Sequence, residues 1–273
     1  MRINIPENVA HINGNPFVFC TNLEEITVAD GNATYHSASG CLIETRNHTL
    51  IAGCKNSKIP SYVMSIGNAA FHGCKDLTNI EIPESVASIK AWAFAHCSGL
   101  TSIKIPGKVS KIDDCAFYGT GLMEVVLPDA LSVIGDCAFA SCSFLTKITI
   151  PNSVTSIENY AFSSCTKLSE LTIPNSVTNI GIGVIAHCKA LRSLTVMEEN
   201  EVYRSENNCI IEKETDTLIL GCLVSKIPMV STIGEYAFYG AGISVVVIPQ
   251  SVRKIGKYAF EGCNITSATF GNG

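Results

Sequence analysis

Ile148-Thr-Ile-Pro-Asn-Ser-Val-Thr-Ser-Ile157 is followed by Ala161-Phe162, Cys165 and Leu168, and close copies of this stretch fill the chain. The isoleucine that ends the Val-x-x-Ile group, or its equivalent, recurs at Ile12, Ile66, Ile89, Ile112, Ile134, Ile157, Ile180, Ile233 and Ile255. Uninterrupted steps between these isoleucines are 22 or 23 residues long. A fixed period of this length is the sequence signature of a solenoid, whose coils pack mainly on their neighbours. The sequence therefore predicts about nine coils of 22–23 residues.

The composition favours a single folded domain over residues 1–273. Hydrophobic residues make up 47% of the chain and charged residues 16%, which is enough apolar side chain for a continuous core and too little charge for a disordered chain. The net charge of -5 and the lack of a Lys/Arg run argue against nucleic acid as a partner. No apolar run approaches the roughly 20 residues that span a bilayer, so no transmembrane segment is expected.

Both ends of the chain fall inside a repeat. The opening Ile3-x-Ile5-Pro6 is already repeat sequence, and the last residues break off in the middle of a coil. Terminal coils of solenoids normally carry a polar cap, and neither end shows one. We therefore expect a fragment of a longer repeat protein, with no signal peptide in this chain.

Each coil has three recognisable parts. Segments such as Leu77-x-x-Ile80-x-Ile82 alternate apolar and polar residues, which predicts a short strand of a parallel sheet. A proline, which lacks a backbone donor, ends this strand, and the Val-x-x-Ile group after it is a second short extended segment. Glycine after several of these isoleucines, as in Ile66-Gly67, predicts a corner with positive φ. The Ala-Phe-x-x-Cys-x-x-Leu spacing favours about one helical turn, so the predicted fold class is an α/β repeat solenoid.

Two columns of side chains are expected in the core. The aromatic column is Phe71, Phe94, Phe117, Phe139, Phe162, Phe238 and Phe260. The second column lies three residues after the anchor of each coil: Cys20, Cys74, Cys97, Cys142, Cys165, Cys188 and Cys263. Free cysteine is among the most buried residue types, and the parallel side-chain directions of stacked coils suit a disulfide poorly. The cysteine column is therefore predicted to be buried and reduced.

Two β-hairpin inserts, at about 29–58 and 197–226, interrupt the repeat and are copies of each other. Cys41–Glu44 corresponds to Cys209–Glu212 at an offset of 168 residues. The hairpin turns expected near 47–48 and 215–216 place two pairs of cysteines opposite each other: Cys41 with Cys54, and Cys209 with Cys222. Both a disulfide and simple packing of two small side chains fit this arrangement.

The repeat resembles the BspA-type leucine-rich repeat. The resemblance rests on Ile-Pro-Asn-Ser-Val-Thr-Ser-Ile with Ala-Phe-x-x-Cys-x-x-Leu and on the Cys-Leu-Ile-Glu insert, and it covers essentially the whole chain. It implies a right-handed leucine-rich-repeat superhelix with a parallel sheet on the concave side. It also implies a cell-surface or secreted protein that binds host or bacterial partners as an adhesin.

No arrangement typical of catalysis is visible in the sequence. Catalysis needs different groups that converge on one point, whereas nearly every polar residue here belongs to a repeat column. There is no Cys-x-x-Cys, no His-Glu-x-x-His, no Gly-x-Ser-x-Gly and no phosphate loop. The six histidines occupy unrelated or distant positions. We therefore expect no enzyme activity, no cofactor and no metal ion.

The expected function is a non-catalytic recognition scaffold, with a structural spacer or stalk that presents another domain as the alternative. Solenoids commonly bind partners on an extended face. Because the apolar residues of the Leu-x-x-Ile-x-Ile strands point inward, the alternate residues point outward. They form one column of Glu25, Asn79, Ser102, Glu124, Lys147, Glu170, Ser193 and Val245, and a second of Thr27, Glu81, Lys104, Val126, Thr149, Thr172, Thr195 and Val247. We predict that these two outward columns bind a protein or glycan partner, in an oligomeric state that the sequence leaves open.

Overall fold

The computed structural model describes residues 1–271, which form a β-solenoid of about 12 turns. Within these residues every regular element is a strand, and none is a helix. The strands are β1 (Arg2–Ile5), β2 (Glu25–Val28), β3 (Tyr35–Ala38), β4 (Cys41–Glu44), β5 (Thr49–Ala52), β6 (Ser65–Ile66), β7 (Ser88–Ile89), β8 (Ser102–Lys104), β9 (Lys111–Ile112), β10 (Glu124–Val126), β11 (Val133–Ile134), β12 (Ser156–Ile157), β13 (Glu170–Ile173), β14 (Asn179–Ile180), β15 (Ser193–Val196), β16 (Tyr203–Glu206), β17 (Cys209–Glu212), β18 (Thr217–Gly221), β19 (Thr232–Ile233), β20 (Val245–Ile248), β21 (Lys254–Ile255) and β22 (Ser267–Phe270). Most are short because each coil changes direction several times within its 22 or 23 residues.

The continuous sheet of the solenoid is built from the Val-x-x-Ile segments. From β6 to β14 these segments pair in parallel with their isoleucines in register, as in Ile66 opposite Ile89. The predicted sheet of Leu-x-x-Ile-x-Ile strands is wrong in extent, because these segments pair only two at a time, as β1–β2, β8–β10, β13–β15 and β20–β22. Each pair is parallel, as predicted. Where a proline follows the segment, as Pro6 follows β1, it cannot donate a hydrogen bond, so the strand ends at that corner.

The Ala-Phe-x-x-Cys segment is not the helical turn that its spacing suggested. In the coil of Phe162, Tyr160 and Ser164 have φ angles of 55° and 60°, which lie in the left-handed region. Left-handed residues at these positions interrupt helical geometry twice within one turn. The Phe162 N–H donates to the Val184 carbonyl of the next coil at 2.9 Å. The segment is therefore a pair of tight turns that stacks from coil to coil.

We call this stack of turns, from Phe19 to Gly262, the turn edge. Its hydrogen bonds run past both inserts without a break. The Phe19 N–H donates to the His72 carbonyl across the first insert at 3.3 Å, and the His187 N–H donates to the Tyr239 carbonyl across the second at 3.1 Å. The inserts therefore extend from other sides of the solenoid and do not interrupt the turn edge.

The glycines after the isoleucines allow neighbouring coils to come close together, and the positive φ expected for them is wrong. Gly67 and Gly135 are absent from the positive-φ residues of the described chain. A Cβ on Gly67 would lie 2.7 Å from the Leu50 carbonyl oxygen, and one on Gly135 would lie 2.7 Å from that of Ile112. The small residue is therefore needed where two coils come close.

The predicted aromatic column is confirmed, and the cysteine column is confirmed in part. Six of the seven phenylalanines are among the fully buried side chains, and Phe260 packs partly buried against the last part of the core. Neighbouring rings stack nearly parallel, with centroids 5.2 Å apart for Phe71 and Phe94 and 5.4 Å for Phe94 and Phe117. Within residues 1–271 all the cysteines are free, but the column is only partly buried, because Cys20 is exposed and Cys74 and Cys263 are intermediate.

Each insert is a three-stranded antiparallel unit and not a single hairpin. In the first, β3 pairs with β4 and β4 with β5, and β5 then pairs in parallel with β6. The last strand of an insert thus takes a coil position, with Leu50 opposite Ile66 and Leu218 opposite Ile233, which is one reason why nine coils was too low a count.

The expected facing of the insert cysteines is wrong. Cys209 lies opposite Gly221, one residue before Cys222. The cause is the position of the turn: Glu212 pairs with Thr217, so the hairpin is centred one residue earlier than expected, and this register alone would place Cys209 opposite Leu220. A bulge between Ile210 and Ile211 shifts the register by one residue to Gly221, and the first insert has the same irregularity between Leu42 and Ile43.

Candidate partner-binding surface

The two outward columns point to solvent as their alternation predicts. Thirteen of the sixteen residues are exposed, and Glu25, Thr27 and Ser193 are half-buried. Between them lie buried residues, such as Ile103 between Ser102 and Lys104. The sequence therefore predicted the orientation of these side chains correctly, while their role in binding stays a prediction.

The paired strands hold members of the two columns in register. In β8–β10, Ser102 lies opposite Glu124 and Lys104 opposite Val126. In β13–β15, Thr172 lies opposite Thr195, and their hydroxyl oxygens are 2.9 Å apart. Four separate two-stranded platforms thus replace the single predicted sheet.

Ion pairs link the coils across this surface. Lys147 Nζ lies 2.9 Å from Glu170 Oε1, and Lys104 Nζ lies 3.0 Å from Glu84 Oε1. Glu84 also accepts a hydrogen bond from the Gly107 N–H at 3.1 Å. The hydrogen bond from Lys104, helped by that of Gly107, lowers the pKa of the Glu84 carboxyl below its usual range. These charges are solvated, so each pair contributes little to stability and remains available to a partner.

Four neighbouring depressions form what we call the groove, across residues 55–59, 79–84, 102–107, 124–130 and 146–149. Their volumes are about 610, 440, 600 and 660 Å³. The first two share Asn79 and Glu81, and the second shares Glu124 with the third and Lys104 with the fourth. Eight residues of the outward columns therefore line one continuous channel: Asn79, Glu81, Ser102, Lys104, Glu124, Val126, Lys147 and Thr149.

The depressions lie where neighbouring coils do not pair. Residues 79–82 and 147–150 are extended but belong to no strand, and no hydrogen bond of the described chain joins their backbone to the coils beside them. The β8–β10 platform lies between these two segments, so it is flanked by a gap on each side. Backbone donors and acceptors without a protein partner need water or a ligand.

Sequence reasoning missed several residues of the groove. Lys55 and Lys58 come from the end of the first insert, and Glu84 comes from the corner after a proline. The outward columns were counted only within the strands, so these corner and insert residues were not considered. A usable signal existed for Glu84, because corner residues such as Asn152 recur one position after the proline.

Aromatic side chains form a second exposed feature, on the turn edge. His72 lies between Trp92 and His96 with centroid distances of 5.5 Å to each, and Phe19 contacts His72 at 4.7 Å. Trp92 is 39% exposed. His96 and His187 belong to separate aromatic groups, as their distant repeat positions predicted.

The described part of the chain offers neither a metal-ligand cluster nor a membrane-spanning helix. Residues 1–271 contain no group of three or more His, Cys, Asp or Glu side chains that could hold a metal ion. They also contain no helix of the length and apolarity needed to cross a membrane.

Comparison with solved structures finds bacterial repeat proteins. A leucine-rich cell surface protein from Faecalibacterium prausnitzii is 28% identical, with a TM-score of 0.56. That match covers 98% of this chain and 60% of the other, so the chain spans less than two thirds of that protein. A leucine-rich repeat protein from Eubacterium ventriosum (22% identity, 97% and 59% covered, TM-score 0.56) and the pneumococcal vaccine antigen PcpA (21% identity, 86% and 67% covered, TM-score 0.66) share the fold. No curated protein matches the chain significantly.

The family is established by the repeat itself. A family model for the BspA type leucine-rich repeat region, in six copies, matches residues 1–64, 49–119, 93–213 and 221–273. These segments leave only residues 214–220 of the second insert uncovered, and they include the first insert and the regular coils. The chain belongs to the BspA-type leucine-rich repeat family.

Proposed function

We propose that this chain is a non-catalytic recognition scaffold that binds a protein or glycan partner at a bacterial cell surface. The family and its surface-protein relative support a recognition role and this location. The observation that carries the proposal is the groove, because it joins eight outward residues from four consecutive coils into one concave channel. A channel of this kind gives a partner far more contact than a flat solvated strand does.

The chemistry of the groove is mixed in charge and poor in aromatic residues. Acidic side chains at Glu81, Glu84 and Glu124 alternate with Lys104 and Lys147. Such an arrangement selects a partner by complementary charge and hydrogen bonding more than by apolar burial. The unpaired backbone groups of 79–82 and 147–150 add further donors and acceptors.

A structural spacer is the second candidate, and the turn edge favours it. Its unbroken hydrogen bonds from Phe19 to Gly262 tie every coil to the next, including the coils on either side of each insert. A rod held in this way is suited to carrying another domain at a fixed distance. In this role the groove would have no partner.

A binding screen against extracellular host proteins and glycans, followed by charge reversal, separates the two candidates. Lys104→Glu and Lys147→Glu should weaken binding of a captured partner at least tenfold, because both lie in the groove. Lys90→Glu and Lys111→Glu are matched controls, since they are exposed lysines in surface ion pairs with Asp113 outside the groove. Equal losses from both pairs of variants would refute the groove as the site, and a screen without any partner would favour the spacer.

A further inference from the structure

The groove repeats its groups at the height of one coil. Each of the four coils that supply it has one core phenylalanine: Phe71, Phe94, Phe117 and Phe139. The centroids of neighbouring rings in this set lie 5.2, 5.4 and 5.3 Å apart. The outward residues of these coils follow the same repeat, as when Ser102 lies opposite Glu124. A ligand that lies along the solenoid axis therefore meets equivalent positions at this regular, short spacing.

The groove offers hydrogen-bonding groups along its whole length. The Asn79 amide and the Ser102 and Thr149 hydroxyls line it. Beside them lie the segments 79–82 and 147–150, whose backbone has no hydrogen bond to the coils next to it within the described residues. A hydroxyl group both donates and accepts a hydrogen bond, so it can satisfy an N–H or a C=O group alike. A ligand with several hydroxyl groups in each unit suits this lining.

The groove has little with which to anchor a protein. No aromatic side chain of the described residues lines it. Protein interfaces draw most of their binding energy from a few side chains, mainly Trp, Tyr and Arg, that fill well-packed pockets. The large exposed apolar side chains of the groove are Met123 and Val126, and both belong to one coil. Apolar contact is therefore confined to one point of the channel.

Two lysines of the groove already have carboxylate partners. Lys104 lies 3.0 Å from Glu84, and Lys147 lies 2.9 Å from Glu170. A polymer with charges of one sign would have to compete with one member of each pair. Uncharged hydroxyl groups can instead bond to both members without separating them. The groove therefore favours an uncharged ligand.

We propose that the groove binds an unbranched, uncharged glycan of β-linked pyranose units, which lies along the solenoid axis with one sugar on each coil. In an extended β-linked chain, one pyranose unit is about as long as one coil is high. Successive sugars therefore present the same hydroxyl groups to equivalent residues of successive coils. Since the binding uses hydrogen bonds and not ring stacking, each sugar contributes little, and affinity depends on how many coils are engaged. This inference rests on the proposed function, because it takes the groove to be the partner site.

Calorimetric titration with cello-, manno- and N-acetylchito-oligosaccharides of two to eight sugars tests the dependence on length. In at least one series, affinity should rise about tenfold or more from the disaccharide to the tetrasaccharide. It should then level off near five sugars, because four coils and the end of the first insert supply the groove. A disaccharide that binds as tightly as the tetrasaccharide would overturn the proposal, as would tighter binding of acidic oligogalacturonates.

Hydrogen exchange with the bound tetrasaccharide tests the position of the ligand. Exchange should slow in residues 79–82 and 147–150, whose backbone groups gain partners, and stay unchanged in β13, which is already paired with β15. Unchanged exchange in both unpaired segments would contradict a glycan that lies along the groove.

A branched apolar side chain in the middle of the channel tests the same point by mutation. Ser102→Ile should weaken tetrasaccharide binding about tenfold or more, and it should fold, because isoleucine suits an exposed strand position. Thr172→Ile is the matched control, since Thr172 is an exposed strand residue of β13 outside the groove, and it should bind as the wild type does. The same loss in both variants, or no loss in Ser102→Ile, would overturn the proposal.

The outcomes separate this inference from the proposed function. If none of the three glycan series binds, while a captured protein loses affinity in Lys104→Glu, the groove is a protein site and only the glycan proposal is overturned. If a glycan binds equally well to the wild type, Ser102→Ile and Lys104→Glu, its site lies elsewhere, and both proposals for the groove are overturned.

Discussion

The two inserts share one backbone and differ in the side chains that they expose. In both, an asparagine closes the corner where the regular coils stop. Asn200 donates to the carbonyls of Pro174 and Val177 at 2.7 and 2.9 Å, and Asn32 donates in the same way to Pro6 and Val9. The side-chain oxygen of each asparagine accepts two backbone N–H groups of its own insert.

A tyrosine completes this shared arrangement. The Tyr35 hydroxyl accepts the Ile12 N–H at 2.8 Å, and the Tyr203 hydroxyl accepts the Ile180 N–H at 3.1 Å. In the uninterrupted run, the equivalent segments continue the sheet from coil to coil. The asparagine and tyrosine therefore satisfy backbone groups that would otherwise lose their partners where the insert begins.

The exposed side chains of the two inserts have diverged. His36 contacts Thr45 and Tyr62, each at 2.9 Å, and lies near His48. The corresponding residues of the second insert are Arg204 and Asp216, which form an ion pair at 3.2 Å. The comparison teaches that side chains which satisfy the backbone must be repeated, whereas solvated ones are free to change.

The largest difference in the free energy of unfolding is expected between a phenylalanine of the uninterrupted run and the phenylalanines that follow the inserts. Within the described residues, Phe139 stacks on two phenylalanines, whereas Phe71 and Phe238 each stack on one. Phe139→Ala should cost about 4–5 kcal/mol, and Phe71→Ala and Phe238→Ala about 3 kcal/mol each. Urea unfolding measures the difference. An unchanged midpoint for Phe139→Ala would refute this account of the core.

The next largest loss of stability is expected at the glycine of each insert that packs against the phenylalanine after that insert. A Cβ on Gly53 would overlap the Phe71 ring, and a Cβ on Gly221 would overlap the Phe238 ring. Gly53→Ala and Gly221→Ala should therefore each cost about 3 kcal/mol, because a buried ring cannot give way. Gly107→Ala is the control, since its nearest neighbour would be 3.8 Å away. A loss at only one of the two insert glycines would show that the copies are packed differently.

The inward side chains could be predicted from the sequence, and the turn conformation could not. Alternation and period place the phenylalanine column in the core whatever the backbone does between its members. The turns depend on left-handed φ at Tyr160 and Ser164, residue types that do not signal it. Their i, i+3 spacing is common to a helical turn and to two stacked tight turns, so periodicity alone cannot separate them.

The candidate site was predictable only in part, for a similar reason. Outward orientation follows from alternation, but the groove depends on which neighbouring segments form hydrogen bonds. Residues 79–82 and 102–104 have the same pattern in sequence, yet only the latter segment belongs to a paired strand. Pairing between coils is decided by their separation, which no single repeat encodes.

A smaller difference in stability is expected between variants of the two asparagines. Asn200 is 1% exposed, whereas Asn32 is half-buried. Removing either side chain leaves backbone groups without partners, but water can reach them more easily around Asn32. Asn200→Ala should therefore cost about 3 kcal/mol and Asn32→Ala about 1 kcal/mol. Equal losses of stability in thermal unfolding would mean that burial does not determine how much each asparagine contributes.

The smallest expected effect is a pH dependence of the thermal midpoint, to which the first insert should contribute and the second should not. Burial, and then the neighbouring His48, lower the pKa of His36 from its ordinary value. The unfolded chain therefore binds more protons than the folded chain as the pH falls through about 6.5, and folding becomes less favourable. His36→Gln should slightly reduce the loss of thermal midpoint between pH 7 and 5, because the ring is mostly solvated and its charge is screened.

Some pH dependence of the midpoint should remain in this variant, since burial also lowers the pKa of His72. Arg204→Gln, at the matching position of the second insert, should lower the midpoint equally at both pH values, because arginine stays charged throughout. An unchanged pH dependence in His36→Gln, or a reduced one in Arg204→Gln, would contradict the assignment of this difference to the diverged pair.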